Sequence, residues 1–317
     1  MRVVLCGTPE FAVPTLEALA REGHEIAAVI TQPDRPKGRG LKVTPPPVKV
    51  AAEKLRLRVE QPAGLKGEAG HRLLEQFAPE AVVIVGYGQI IPADLLELPR
   101  HGWINLHASL LPKYRGAAPV NWAIMRGEAR TGVTTMRIDA GLDTGPIFLQ
   151  REEPIRPDDT AVTLSERLAH IGAELMLETL RHIEAGTLTP RAQEHAQATK
   201  APLLRKEDGC IDWRWKAVDI HNRVRGLVPW PGAYTAFRGQ LAHIWRAEPV
   251  EAAPVRGQAP PGTLVVESGE PYVVCGPVAN EWLRLEEVQL AGRKRVCGRD
   301  FVNGLHVKSG ERFEGSG

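Results

Sequence analysis

Three runs of apolar and β-branched residues, at 2–6, 26–31 and 81–85, show no alternation of polar with apolar positions. A strand with one wet face alternates, because successive side chains point to opposite sides of the pleat. Unbroken runs suit strands buried on both faces, as in a parallel sheet covered by helices. Helical stretches lie between and after them. Pro14 suits a first helical turn, Leu16, Leu19 and Ala20 form an apolar stripe, and Gly23 ends it. A longer helix follows Asp158-Asp-Thr160, with Leu164, Leu168, Ile171 and Leu175 at three-and-four spacing and Gly186 as its stop. The alternation predicts a doubly wound, Rossmann-like α/β domain over residues 1–189.

With 317 residues the chain exceeds one typical domain. Residues 190–206 are polar and read as a linker. Short β-type runs follow at 232–237, 240–246, 263–267, 272–275 and 282–288, separated by Gly and Pro clusters, with a short helix at 219–224. Trp282-Leu-Arg-Leu-Glu alternates, as a half-buried antiparallel strand should. A small closed barrel of OB type over 207–317 fits this pattern, and such barrels commonly bind oligonucleotides. Trp213, Trp215 and Trp230 read as packing residues of the barrel or between domains, and His170 and His182 as surface or satisfied positions on the long helix.

Chemistry concentrates in His101-Gly-Trp-Ile-Asn-Leu-His-Ala-Ser-Leu-Leu-Pro-Lys-Tyr-Arg-Gly116, a short strand followed by a sharp loop. Asn105 and His107 are two apart and share a face. An amide beside an imidazole at a strand end can polarise a carbonyl and shuttle a proton. Alone, such a pair is also how an exposed strand ends. A second cluster, Asp139-Ala-Gly-Leu-Asp143-Thr-Gly-Pro146, offers a carboxylate in a backbone that can turn tightly, and it too could be an ordinary turn. Gly86-Tyr87-Gly88 ends the 81–85 run, and two glycines there would let backbone groups approach a flat heterocycle. Phe11 either packs in the core or lines that pocket. Arg115 could anchor the loop through its fork of donors instead of touching a ligand.

Residues 34–49 carry Pro36, Pro45, Pro46 and Pro47, with Pro33 just before them and Gly38 and Gly40 among them, and set Arg35, Lys37, Arg39, Lys42 and Lys49 against the single acid Asp34. Neither a helix nor a central strand is expected there. Incidental charge on a solvated loop is one reading. Local phosphate contact is the other, since the whole chain has a formal charge of only +2.

Several classes are disfavoured. The first strand runs into Gly7-Thr-Pro-Glu and not Gly-x-Gly-x-x-Gly, so no NAD cofactor is expected. Cys6, Cys210, Cys275 and Cys297 have neither metal nor redox spacing, which argues for thiols in a reducing cytoplasm and for no metal. No apolar stretch approaches the roughly 18 residues of a membrane span. The first strand starts at the second residue, so a cytoplasmic protein with no cleaved leader is expected.

Taken together, Asn105-x-His107, Ser109-Leu-Leu-Pro112 followed by Arg115-Gly116, and Asp143-Thr-Gly145 resemble the signature of the folate-dependent formyltransferases. Gly7-Thr-Pro-Glu-Phe11, Thr31-Gln-Pro-Asp-Arg-Pro-Lys-Gly-Arg-Gly40, Gly116-Ala-Ala-Pro119 and Pro229-Trp-Pro-Gly-Ala-Tyr234 resemble those members of the family that formylate methionyl-tRNA. Ala108 departs mildly from the Gly that many relatives carry. The resemblance implies formyl transfer from 10-formyltetrahydrofolate to the α-amine of initiator methionyl-tRNA, for translation initiation. It implies catalysis by Asn105, His107 and Asp143, and folate binding by Ser109, Leu110, Leu111 and Pro112 with Gly86, Tyr87 and Gly88. It also implies tRNA contact by Arg35, Lys37, Arg39 and Lys42, Arg39 foremost, and by an OB-type C-terminal domain. No obligate protein partner is expected. Three rivals stay open: a formyltransferase acting on a small amine such as a sugar nucleotide or purine precursor, a formyltetrahydrofolate hydrolase, and a non-catalytic RNA-binding module.

Overall fold

A computed structural model describes residues 1–37, 40, 42–251 and 259–314. The chain divides into two compact units. The first comprises Met1–Pro119, Arg130–Pro154 and Ser165–Pro202; the second comprises Val120–Ala129, Ile155–Leu164 and Leu203–Gly317. Two stretches inside the expected first domain, 120–129 and 155–164, thus cluster with the barrel residues.

The first unit contains β1 (Arg2–Gly7), β2 (Glu25–Ile30), β3 (Arg35–Lys37), β4 (Lys42–Thr44), β5 (Val59–Glu60), β6 (Ala81–Val85), β7 (Trp103–His107), β8 (Arg130–Arg137) and β9 (Ile147–Pro154). Its main sheet has the order β5-β2-β1-β6-β7-β8-β9. From β5 to β7 the pairings are parallel, and the order reverses beside β1, as in a doubly wound sheet. β1 and β6 are buried along their apolar runs, as the missing alternation predicts. β8 and β9 add an antiparallel edge that the sequence hid. β8 carries Thr131, Thr134 and Thr135, all buried, and a strand so rich in hydroxyls does not advertise a covered face.

The helix Val13–Arg21 buries Leu16 and Leu19 and has Pro14 in its first turn. The long helix Ala161–Glu184 runs on to Gly186, whose positive φ of 66° turns the chain away. At Gly172 a Cβ would sit 2.6 Å from Leu106 Cδ2, so the helix backbone rests directly on the strand that carries Asn105 and His107. One expectation fails in the basic segment, where the helix Pro47–Lys54 begins at Pro47. Proline is welcome there because the first helical N–H has no partner to lose.

Residues 190–206, expected as a loose linker, are bound for much of their length to the first unit. Arg191 and Ile147 exchange backbone hydrogen bonds of 2.7 and 2.8 Å. The Arg115 N–H donates to the Thr199 carbonyl at 2.9 Å, and Ala201 N–H donates to the Arg115 carbonyl at 2.7 Å. Backbone pairing of this kind leaves no apolar signature in the sequence.

The second unit is an antiparallel barrel of OB type. It contains β10 (Ala233–Phe237), β11 (Gln240–Val250), β12 (Leu264–Glu267), β13 (Glu270–Cys275), β14 (Glu281–Leu290), β15 (Val296–Cys297) and β16 (Phe313–Glu314). The order is β12-β13-β14-β11-β10-β16, with β15 paired to β14. A bridge between Thr263 and Arg312 joins the first strand of that order to the last. Trp213 stacks on Phe313 inside, ring centroids 5.2 Å apart, and Trp215 packs at the margin. Trp230 does not pack as expected; it is 54% exposed. The helix Gly298–Leu305, which no sequence pattern announced, adds Phe301 and Val302 to this core.

Candidate active site

β7 delivers its polar residues to the carboxyl edge of the sheet, where doubly wound folds bind ligands. Asn105 lies between Ile84 of β6 and Met136 of β8 and is half-buried. Its side-chain amide has no hydrogen-bond partner among the described residues. His107 ends the strand and is 6% exposed. Its Nε2 lies 2.9 Å from the Tyr114 carbonyl oxygen. A carbonyl only accepts, so Nε2 carries a proton and donates it there. Nδ1 faces the other way, 3.7 Å from Asp143 Oδ1. That separation is too long for a hydrogen bond but within ion-pair distance.

Asp143 is brought to His107 by a tightly held turn. Asp139 Oδ1 accepts from Gly141 N–H at 3.0 Å and from Thr144 Oγ1 at 2.7 Å, closing the start of the turn. Asp143 itself has φ of 53°, and its Oδ2 accepts from Gly116 N–H at 2.8 Å. Gln193 Nε2 donates to the carbonyls of Asp143 and Gly145, and Gln193 Oε1 accepts from Arg115 Nη2 at 2.6 Å and Nε at 3.1 Å. Arg115 therefore takes the anchoring role that its forked donors allow. The structure brings together His107 and Asp143, with Asn105 two residues from His107 on the same strand.

The Ser109–Pro112 loop is held from beneath. Ser109 Oγ donates to the Lys113 carbonyl at 2.7 Å, and Thr134 Oγ1 donates to the Ser109 carbonyl at 2.6 Å. Thr134 Oγ1 also accepts from Leu111 N–H at 3.2 Å and from Gln150 Nε2 at 3.0 Å, while Gln150 Nε2 reaches the Leu111 carbonyl at 2.8 Å. Ser109 and Leu111 are buried, whereas Leu110 and Pro112 keep part of their surface. The Ser109 and Leu111 carbonyls of this loop thus have their partners within the fold.

Gly86-Tyr87-Gly88 is held closely within the first unit. Tyr87 is 1% exposed and packs with Ile84, Leu95 and Trp103, and burial pushes its hydroxyl well above the ordinary tyrosine range. Its carbonyl accepts from Thr8 Oγ1 at 3.1 Å and Gln32 Nε2 at 2.9 Å. Both glycines have positive φ, 58° and 78°, and a Cβ would meet Pro9 Cγ at 2.8 Å and Gln32 Nε2 at 2.6 Å respectively. The close approach for which glycine is needed is thus made by Pro9 and Gln32 of the same unit. Phe11 is half-buried in the turn Glu10–Ala12.

In the basic segment, β3 and β4 form a two-stranded ribbon that pairs Arg35 with Thr44 and Lys37 with Lys42. Arg35 and Lys42 are exposed. Arg39 lies outside the described residues. Lys49 is not free: its Nζ bonds both oxygens of Asp34 at 2.9 Å. The Asp34 carboxyl is held below its ordinary pKa by hydrogen bonds from Gln61 and then Lys49. Among the described residues, no three His, Cys, Asp or Glu side chains gather as metal ligands would, and no helix is long and apolar enough to cross a membrane.

The family model described as formyl transferase matches residues 1–180, and the formyl transferase C-terminal domain model matches residues 203–306. The chain belongs to the formyl transferase family. This formyl transferase is 54% identical, over 99% of its own length and 98% of the relative's, to a protein of Solibacter usitatus named methionyl-tRNA formyltransferase. A protein of the same name from Koribacter versatilis is 52% identical, again over 99% and 98% of the two chains. Among solved structures, an N-formyltransferase from Helicobacter canadensis, in complex with folinic acid and dTDP-3-aminofucose, superposes with a TM-score of 0.65 at 18% identity. It covers 90% of this formyl transferase and 98% of that chain, a likeness of fold.

Sequence reasoning missed two residues that shape the site. Thr134 is one of several threonines on an unpredicted strand, and Gln193 sits in the stretch read as linker. Neither has a local signal, because each acts on backbone distant in sequence.

Proposed function

We propose that this chain transfers a formyl group from 10-formyltetrahydrofolate to the α-amino group of methionyl initiator tRNA. The observation that carries the chemistry is the buried His107–Asp143 contact beside the unpartnered Asn105 amide at the carboxyl edge of the sheet. The choice of acceptor is supported by end-to-end identity with proteins named methionyl-tRNA formyltransferase.

In the reaction the amine nitrogen bonds to the formyl carbon, the bond from that carbon to N10 of the folate breaks, and charge grows on the formyl oxygen between these events. Asn105 donates to that oxygen. His107 has Nε2 engaged with the Tyr114 carbonyl, so only Nδ1 is available to the substrate. With Nδ1 turned toward both Asp143 and the substrate, its ring supports the same charge. Asp143 takes the proton leaving the amine, directly or through one water, and that proton ends on N10. Leu110 and Pro112, the partly exposed members of their loop, shape the folate site. Arg35, Lys37, Arg39 and Lys42 contact the tRNA mainly through its phosphates, and so does the barrel.

The test measures formyl transfer to methionyl-tRNA and to glycinamide ribonucleotide, with formate release alone as control. Transfer to methionyl-tRNA is expected to dominate. Asn105→Ala and His107→Ala, each checked for folding, should lose roughly a hundredfold or more in kcat. Near-normal turnover in either variant would sink the assignment, and amine-independent formate release would identify a hydrolase instead.

A further inference from the structure

Gln193 has a connection pattern that its position in the sequence gives no reason to expect. It is 6% exposed, yet every polar atom of its side chain has a partner. The Nε2 group donates to two carbonyl oxygens, of Asp143 at 2.9 Å and Gly145 at 2.7 Å. The Oε1 atom accepts from the Arg115 guanidinium. Carbonyls only accept and guanidinium only donates, so the amide has one workable orientation. Reversing it would set oxygen against two oxygens and nitrogen against a cation.

The two carbonyls bracket the part of the turn that needs holding. Asp143 has φ of 53°, a region where residues with a Cβ persist only when their surroundings fix them. Its carboxylate is fixed at one oxygen by Gly116 N–H, leaving the other toward His107 Nδ1. Gly116 lies close against Ala201, where a Cβ would come within 2.5 Å of the carbonyl oxygen, and it is held on both sides by the backbone bonds of Arg115 to Thr199 and Ala201 and of Ala118 to Ala201. The segment containing Gln193 and Ala201 thus clamps both the backbone of Asp143 and the group that orients its carboxylate.

We propose that Gln193 is a positioning residue for the reaction, holding Asp143 against His107 through the carbonyls of Asp143 and Gly145. This rests on the part given to Asp143 in the proposed function. It is tested by a double-mutant cycle in the intact enzyme with methionyl-tRNA and 10-formyltetrahydrofolate, using Asp143→Ala, Gln193→Ala, Gln193→Glu and the combinations. Gln193→Glu retains size and the Arg115 contact but sets an acceptor against two acceptors. It therefore separates holding Asp143 from merely anchoring Arg115, and it serves in the cycle if Gln193→Ala does not fold.

Both Gln193 variants should lower kcat about tenfold or more, with both KM values within about twofold of wild type. Added to Asp143→Ala, they should cost less than about twofold further. Losses that multiply in the double variants, or a Gln193→Glu enzyme at wild-type kcat, would overturn the proposal. If Asp143→Ala alone keeps wild-type kcat, the reading of Asp143 falls, and the role of Gln193 in the rate falls with it.

Discussion

Replacing Thr134 with valine keeps the shape of a fully buried side chain and deletes one hydroxyl. That hydroxyl donates to the Ser109 carbonyl and accepts from Leu111 N–H, so the change strips partners from two buried backbone groups. Gln150 Nε2 also loses a bond but keeps the Leu111 carbonyl, and we count nothing for it. A buried backbone group left unpaired costs about 1–3 kcal/mol, giving a span of about 2–6 kcal/mol for the pair. Some is recovered because valine has no hydroxyl to desolvate, so a loss of about 3 kcal/mol is expected. For a unit of this size that corresponds to a fall in Tm of about 6–12 °C. Thr134→Ser retains the hydroxyl and gives up one methyl, which should cost only about 1 kcal/mol. Thermal melts followed by circular dichroism measure both. The KM for 10-formyltetrahydrofolate should rise in the valine variant as the Ser109–Pro112 loop loosens. A valine variant that melts with wild type would refute the reasoning that Thr134 holds this loop.

The ribbon and the barrel make two further predictions. Arg35→Ala with Lys42→Ala should raise KM for methionyl-tRNA, reduce the salt dependence of tRNA binding by about two phosphate contacts, and leave folate binding alone; an unchanged salt slope would remove the ribbon from the tRNA surface. His243 is half-buried and stacks on Trp245, and burial, with the nearby Lys206 charge, holds its pKa below the ordinary 6.5. Only the unfolded chain then gains this proton readily, so stability should be intact above pH 6.5 and fall as pH drops below it. His243→Phe keeps a stacking ring and should flatten that slope in melts across about pH 5–8, whereas an unaltered slope would place the titration elsewhere.

The parts of the fold that could be read in advance are those whose burial shows as a repeating pattern. β1 and β6 have unbroken apolar runs, the long helix has its stripe, and the barrel strands alternate. β8 was invisible because Thr131, Thr134 and Thr135 are buried as hydroxyls, and periodicity scores only apolar groups. The burial of Tyr87 was equally unreadable, because glycines on either side of an aromatic do not say that its ring packs among Ile84, Leu95 and Trp103. The motifs that carry Asn105, His107 and Asp143 stand in the sequence, and the structure brings His107 and Asp143 of two of them within 3.7 Å. What fixes their positions was not legible. Gln193 acts across 48 to 50 residues, and its bonds run to carbonyl groups that every residue possesses.

The interleaving of the two units bears on how this chain could be divided. Asn121 Nδ2 donates to the Gly226 carbonyl at 2.8 Å, and Arg225 Nη1 donates to the Asp159 carbonyl at 3.0 Å. Both are bonds within the second unit, formed by stretches that the chain lays down before it finishes the first. No single scission can therefore release either body whole. A fragment ending at Pro202 would carry two pieces of its neighbour, 120–129 and 155–164, cut off from the partners they bond, so a single cut gives two incomplete bodies in place of two domains.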